Sequence, residues 1–474
     1  MNLSVIAYNN LQLAPYQLIN IQDLRITKKI NDHSRLYLTG IVPEERKDSY
    51  VDMTTPETQI EVSQIDDDGN SFPIFAGIVL HIEVKAVRGI YYLEVEAVSH
   101  SYNLDVKRKS RSFQNKAMTY SALLKKIASE YSGMDIMDEA SKGAALGKFT
   151  IQYQETDWQF LKRMASRFHT GLVPASTFDK PKFSFGVPTG AMKGKLEDYH
   201  YSVRKRLSTF RDSSENYNPA LDENDFIYYE VETDKVLEIG NGVTFKGKTL
   251  YVCEAYTHMS KSLLKHHYTL CSPKGMSQNT VYHQGIVGLS VQGRVIEVAK
   301  DNVKVHLEID EQQNKSEATW FPYSSVYTAE GNSGWYCMPE LDDHVRIYFP
   351  GNKEEEGIAL SSVRKNSEEG TNNKLGNPDI KYFRTANGKE LMFSPEEILI
   401  SAKDGETLIK LNEKDGILIF SKKNIKVVSQ EDIMMSSDKK VVISAKEEIN
   451  ISCKESTIKM DGDININGKE VKTN

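Results

Sequence analysis

Near the end of the chain an apolar residue returns at every eighth position: Ile409, Ile417, Ile425, Ile433, Val441 and Ile449 keep this register without a slip. Two residues after each stands another, namely Leu411, Ile419, Val427, Met435, Ile443 and Ile451. Residues two apart point to different sides of a helix but share one face of a strand, and β-branched side chains suit a pleated surface. Each unit is therefore predicted to be a short strand. Between the pairs lie "NEKDG", "SKKN", "SQED" and "SDKK", whose Asn, Asp, Gly and Ser suit tight turns and whose charges seek water. A strand and turn array of this kind has an apolar face that must be covered. No other segment has a matching period, so the economical cover is further copies of the same segment closing about a symmetry axis. A homo-oligomeric β rod is expected, with a single-chain meander packed on the upstream part as the alternative. The spacing then breaks at Ile458/Met460 and Ile464/Ile466 within "DGDININGK", so the rod should taper and end near Gly468, with no further domain at its tip.

The 474 residues are too many for one ordinary core and imply several domains. With 39% apolar and 26% charged residues, the balance is that of a soluble globular chain. No apolar stretch reaches the roughly 18 to 20 residues needed to cross a bilayer, and "MNLSVIAYNNLQLAP" lacks the features of a signal peptide, so synthesis in the cytoplasm is expected. A net charge of −7 gives no basic footprint for nucleic acid. Cys253, Cys271, Cys337 and Cys453 share no C-x-x-C spacing and are expected to be reduced thiols.

From Gly285 to Asn366, alternation in "GRVIEV", "NVKVHLEI", "HVRIYF" and "GIALSSV" has the spacing of a small barrel of the oligonucleotide/oligosaccharide-binding (OB) type. The barrel has no basic stripe with interleaved aromatics, so it is not expected to bind nucleic acid. The wording here resembles the VgrG family, the spike proteins of contractile injection machines. In that family a Trp precedes a run of small residues, and Gly-x-x-x-x-Pro-Glu-x-x-Asp-x-Val closes the barrel. Those positions are Trp320, Gly334, Pro339, Glu340, Asp343 and Val345. The polar stretch "SEEGTNNKLGNPDIKYFRTANGK" reads as a linker, too short for the lysozyme domain that some phage relatives carry at this junction.

Strand-like runs dominate the first 275 residues, among them "LINIQDLRITKKI", "SRLYLTGIV", "TQIEVSQI" and "FPIFAGIVLHIEVKAVRGIYYLEVEAVSHSYNLD". Two helices are predicted. Thr119 to Tyr131 places Leu123, Leu124, Ile127 and Tyr131 on one face. In the second, Thr156 and Gln159 form a capping box, Trp158, Leu161, Met164, Ala165 and Phe168 build a packing stripe, and Gly171 stops the helix. "FAGIV", "SRSFQNKAMTYSALLKKI" and "QYQETDWQFLKRMASRFHTGL" resemble VgrG and the phage late-control proteins. The pattern Tyr-x-Glu-(Ser/Thr)-Asp-Trp-x-Phe-(Leu/Ile)-x-Arg is the distinctive part, at Tyr153 to Arg163.

"GVTFKGKT", Gly242 to Thr249, matches the phosphate-loop expression letter for letter and raises a nucleotide hydrolase using Lys248 and Thr249. Such a loop must lead into a helix whose N-terminal amides hold phosphate. "LYVCEAYTHM" alternates like a strand instead, so a strand-turn-strand corner is expected. His266, His267 and Cys271 lie in a stretch that reads as helical, where His267 and Cys271 alone could share a metal, a weak signal. H-E-x-x-H, G-x-S-x-G and a dinucleotide G-x-G-x-x-G are absent, and charged turns read as solvated surface. Relatives' rods can end in metal-binding histidines, but no His follows His344. No catalytic, cofactor or metal residues are assigned.

The expected architecture is mainly β with minor α. It comprises hub domains of β-barrel type over 1–275 as a tube adapter, an OB-fold barrel over 285–366, a linker over 367–390, and an octad-repeat β-helix needle over 391–474. The resemblance implies a homotrimer that seats on the inner tube protein and is driven through the target membrane mechanically. A PAAR-type tip protein would dock at Ile464, Ile466 and Gly468, where strand edges are left open, with effectors as possible cargo. It also implies assembly in the cytoplasm and delivery outside the cell or into a target cell on contraction. The rival classes are an enzyme, either the nucleotide hydrolase or a cell-wall hydrolase, and a glycan-binding tail fibre.

Overall fold

The computed structural model describes residues 10–65, 69–197, 200–260, 263–327, 334–360, 377–403, 405–460 and 462. The chain divides into two units, Met1–Asn366 and Ser367–Asn474.

In the first unit, twelve described strands share one sheet. Its main path runs Leu11–Ala14, Gln59–Ile65, Ser71–Val87, Ile90–Ser99, Arg35–Val42, Asn20–Lys29, Lys248–Ser260, Leu263–Cys271, Ile227–Thr233, Tyr201–Lys205. The alternating runs of the N-terminal third thus pair with strands more than 200 residues away, as in the register Thr257↔Ile26. Alternation sets which side is buried. Along Arg35–Val42 every second residue is buried, and Leu36, Leu38 and Val42 join Leu24, Ile26, Ile60 and Phe75 in one apolar core.

Four α-helices stand among the described residues: α1 (Ser49–Met53), α2 (Tyr120–Ala128), α3 (Asp157–Ser166) and α4 (Leu207–Asn216). The two expected ones are α2 and α3. Thr119 caps α2 by accepting the Ala122 amide, and Leu123, Leu124 and Ile127 are buried. The capping box of α3 is formed in both directions between Thr156 and Gln159. Gly171, however, does not stop the helix. α3 ends at Ser166, the left-handed residue after it is His169 (φ 54°), and Gly171 is needed for a different reason: a Cβ there would lie 2.5 Å from Asn31 Oδ1. The short α1 and the largely exposed α4 gave no comparable stripe in the sequence.

The barrel strands are Ser290–Ala299, Asn302–Leu307, Trp320–Pro322, His344–Tyr348 and Ile358–Leu360, in the antiparallel order third, second, first, fourth, fifth. A bridge between Tyr323 and Ala359 links the two outer strands. Val295, Val303, Val305, Phe321, Val345 and Ile347 fill its centre. The closing motif works through its backbone: the Glu340 amide donates to Asp343 Oδ2 at 2.9 Å, while the Val295 amide donates to the Asp343 carbonyl at 2.9 Å. Gly334 has φ 121°, a conformation that a side chain would resist.

In the second unit, Lys381–Arg384, Glu390–Phe393, Glu397–Ala402, Thr407–Asn412 and Gly416–Ser421 form a five-stranded antiparallel meander, and Ile449–Cys453 pairs with Ser456–Met460 as a hairpin. Strand structure therefore begins inside the stretch read as linker. "KYFR" and "ELMF" carry enough apolar side chains to pair across the turn at Gly388 (φ 73°).

Candidate functional site

The meander stacks its apolar pairs into rows. Directly opposed residues of an antiparallel pair lie on one face. The register accordingly aligns Phe383, Leu391, Ile400, Ile409 and Ile419 in one row, and Phe393, Ile398, Leu411 and Ile417 in the next. A sheet with such a face normally packs it. Here it lies open: among the described residues of Ser367–Asn474, no apolar side chain is buried. Eleven of the twelve octad side chains are 40% to 73% exposed, and Ile449 is half-buried. The buried groups are polar or small, with Glu390 held by Arg384 at 2.7 Å.

The six octad pairs divide by what a lone chain can offer. Ile409/Leu411 and Ile417/Ile419 lie on meander strands, and Ile449/Ile451 lies on the hairpin. Ile425/Val427, Ile433/Met435 and Val441/Ile443 lie between them with no strand assigned, although each was expected to be a strand. A strand exists only where its amides and carbonyls find a neighbouring edge. Residues 423–448 have none in the single chain. Ile464, Ile466 and Gly468, where the tip protein was expected to dock, lie outside the described residues.

The rival motifs resolve into structural roles. Gly242–Phe245 and Lys248–Ser260 form a hairpin whose turn is Lys246 (φ 49°) and Gly247 (φ 74°). This two-residue turn with both φ positive is the standard tight hairpin connection. No helix follows it, so the letters of a phosphate loop occur without its geometry, as the strand-turn-strand expectation held. His266, His267 and Cys271 are on the strand Leu263–Cys271, not on a helix. From Leu263 to Tyr268 this segment alternates half-buried and buried, a period of two that overrides the helical reading. His266 points inward with its Nδ1 2.8 Å from Thr257 Oγ1, while His267 stacks on His258 at 5.0 Å on the other face. Burial, with the Lys28 charge and the neighbouring histidines adding to it, holds His266 down at about 4. Cys253 and Cys271 are buried free thiols, and the hydrogen bond with Cys253, with burial adding to it, pushes the Cys271 thiol well up, away from reactivity. Among the described residues, no group of three or more His, Cys, Asp or Glu is placed to hold a metal ion.

The distinctive hub motif builds a polar cluster at the start of α3. Asp157 is fully buried yet accepts from Lys109 Nζ at 2.5 Å, Arg111 Nη2 at 2.7 Å, Tyr131 Oη at 2.6 Å and Gln152 Nε2 at 2.9 Å. Burial raises its carboxyl, but these donors outweigh that and hold it below the usual range. Trp158 donates its Nε1–H to the Asn31 carbonyl at 3.1 Å and packs on the His33 ring at 4.4 Å. The segment is a structural knot, with every member satisfied.

Comparison with known proteins agrees with this geometry. Residues 36–168 match the family of the phage tail baseplate hub (GPD), and residues 291–363 match the type VI secretion system/phage-baseplate injector OB domain. The hub segment and the barrel are thus each similar to a baseplate family. A similar fold is seen in the E. coli c3393 protein, a component of the type VI secretion system with structural similarity to the T4 bacteriophage tail proteins gp27 and gp5. That likeness has a TM-score of 0.53 at 12% identity, over 75% of this chain and 99% of that one. The Francisella PdpA–VgrG complex, in its half-lidded form, gives a TM-score of 0.52 at 9% identity, over 86% of this chain and 87% of that one. No curated protein sequence matches the chain. A baseplate hub segment joined to an injector barrel is the make-up of a VgrG-like structural spike of a contractile injection system. Among the described residues, no helix is long and apolar enough to cross a membrane.

Proposed function

We propose that this chain is the homotrimeric hub and needle of a contractile injection machine, and that it works mechanically and not as an enzyme. The hub domains seat on the inner tube protein. The second unit of each copy lays its open rows against those of two others, which supplies both an apolar cover and the strand edges that 423–448 lack. A PAAR-type tip protein docks at Ile464, Ile466 and Gly468 with effectors as its cargo, and the assembly meets the target membrane as a solid point. One observation carries this reading: the second unit buries no apolar side chain of its own among the described residues, whereas the first unit holds five buried clusters. A chain that leaves rows of Ile, Leu, Val and Phe in water is complete only with a partner, and identical rows are self-complementary about an axis.

The test is mass in solution by light scattering. Three chains of 53.7 kDa are expected to travel together. Ile433→Asp should reduce the mass to that of one chain, because three carboxylates would meet at the axis without partners. Met434→Asp, on the intervening side of the same stretch, should leave the trimer intact. A parent protein that runs as a monomer, or equal disruption by the two variants, defeats the proposal.

A further inference from the structure

The hub motif contains one member whose purpose lies outside the hub. Arg163 of α3 is 2% exposed, and each nitrogen of its guanidinium donates a hydrogen bond. Nε and Nη2 grip Glu155 at 3.0 and 2.7 Å, and Nη2 also donates to the Ile151 carbonyl at 2.7 Å. Nη1 reaches Glu354 Oε1 at 2.7 Å, across 191 residues of sequence. Glu354 belongs to the barrel, in the short helical turn Glu354–Glu356 just before the last barrel strand. It is 4% exposed, also accepts the Ile151 amide at 2.9 Å, and is held by Arg167 as well. The run "KEEEG" reads in the sequence as solvated surface. In the fold, its first carboxylate is buried in the hub and its second pairs with Lys148 at 3.1 Å.

Further contacts fix the same joint, among them Gln114, which donates Nε2–H to the Val305 carbonyl at 3.0 Å and accepts the Thr319 amide at 3.1 Å. Phe149 and Ile151, from the hub side, complete the barrel's apolar core, with Phe149 at 5.2 Å from Phe321. Asp310 of the barrel accepts both the amide and the hydroxyl of Ser112, at 2.6 and 2.5 Å. Domains of one chain swing relative to each other by default unless their interface is large and apolar. A planar guanidinium forked between two carboxylates on different domains is directional, unlike apolar packing, and leaves little freedom of rotation.

We infer that the Glu155–Arg163–Glu354 fork is a rigid coupling between hub and barrel, with Glu354 as the positioning residue that sets the barrel's orientation. This rests on the spike reading for its purpose: a push delivered to the hub passes through α3 into the barrel without bending at the joint. The hub motif is then a coupling device, and its Arg is selected by a carboxylate of another domain.

The test uses the full chain with Cys337→Ser and Cys453→Ser. Spin labels are placed at Lys125→Cys on the hub and Gln312→Cys on the barrel, and labelled chain is diluted in unlabelled chain so that only distances within one chain are read. Pulsed electron resonance should give one narrow distance. Glu354→Ala should broaden the distribution roughly twofold or more, while Glu354→Gln, which keeps the shape and two of the contacts, broadens it less. Should Glu354→Ala fail to fold, the pair Arg163→Met with Glu354→Leu replaces the buried charges by apolar volume and keeps the domains intact. A distribution that stays narrow in Glu354→Ala, or in that double variant, overturns the inference, because packing alone would then hold the joint. Light scattering on the same samples reports the trimer separately: a monomer whose distance broadens as expected sustains the coupling and rejects the spike.

Discussion

His266 offers a quantitative check on the hub sheet. Its ring is buried on the strand Leu263–Cys271 opposite Thr257, with Nδ1 on the Thr257 hydroxyl and Nε2 facing no hydrogen-bond partner. The groups that press on it electrically are cations or potential cations, namely Lys28, His267 and His258, so nothing rewards protonation. A base held at about 4 in the fold and 6.5 when unfolded contributes stability that is complete above about pH 6.5. That contribution drains as pH falls toward 4, because the unfolded chain takes up the proton first. At about 1.4 kcal/mol per tenfold change, the whole window is worth about 3.5 kcal/mol, of which about 2.5 kcal/mol is lost by pH 4.5. His100 and His283 are also held low by burial and act in the same direction. The His266→Phe variant isolates the one residue: it keeps a planar ring beside Tyr268 and cannot titrate. Urea unfolding of parent and variant, followed by tryptophan fluorescence at pH 7.5, 6.5, 5.5 and 4.5, should show the parent losing about 2.5 kcal/mol more than the variant between pH 7.5 and pH 4.5. Equal losses in the two proteins would show that this ring is not kept neutral by burial, and the account of the Thr257 contact would fail with it.

Other perturbations probe separate parts of the fold. Thr156→Ala removes the acceptor for the Gln159 amide and the donor to Asp105, and should lower the urea midpoint by an amount equal to about 1 to 2 kcal/mol, with Thr156→Ser restoring most of it. Gly77→Ala, in "FAGIV", would set a Cβ 2.2 Å from the Val98 carbonyl oxygen, a backbone atom that cannot step aside, and should cost about 1 to 3 kcal/mol by the same measurement. Lys248→Ala should leave ATP turnover at the background of the parent, because Lys248 and Thr249 begin a strand after a hairpin turn; loss of a real parental activity in the variant would restore the hydrolase reading.

The parts legible in the sequence were those that a local pattern specifies. The capping box of α3, the alternating barrel strands and the corner at "GVTFKGKT" all formed as their residues dictate, because each depends on neighbours within a few positions. Reading failed where the partner is distant. "LLKHHYTLC" passes for a helix until Ile227–Thr233 and Lys248–Ser260 flank it as strands. "KEEEG" passes for solvated surface until Arg163 appears beside Glu354. Gly171 looked like a helix stop, although the constraint on it comes from Asn31. The octad repeat is an intermediate case. Its period fixes which side chains share a face, but among the described residues no segment of the chain covers that face.

That distinction separates the two units physically. In Met1–Asn366 buried charge is matched within one chain: Asp157 by Lys109 and Arg111, Arg163 by Glu155 and Glu354, Lys28 by Glu238. Such pairs are costly to bury and hold only with tight geometry, so they favour one arrangement of the domains over its neighbours. The octad segment uses the opposite chemistry, with its charges in the turns and its repeat positions plain hydrocarbon. Hydrocarbon is indifferent to which copy it meets, so a repeat of Ile and Val can close against identical strands along its whole length. A polar fork within that repeat would demand a particular partner at each level and would stall such closure. Directional contacts therefore suit a joint that must not turn, and non-directional ones would suit the proposed rod of identical copies.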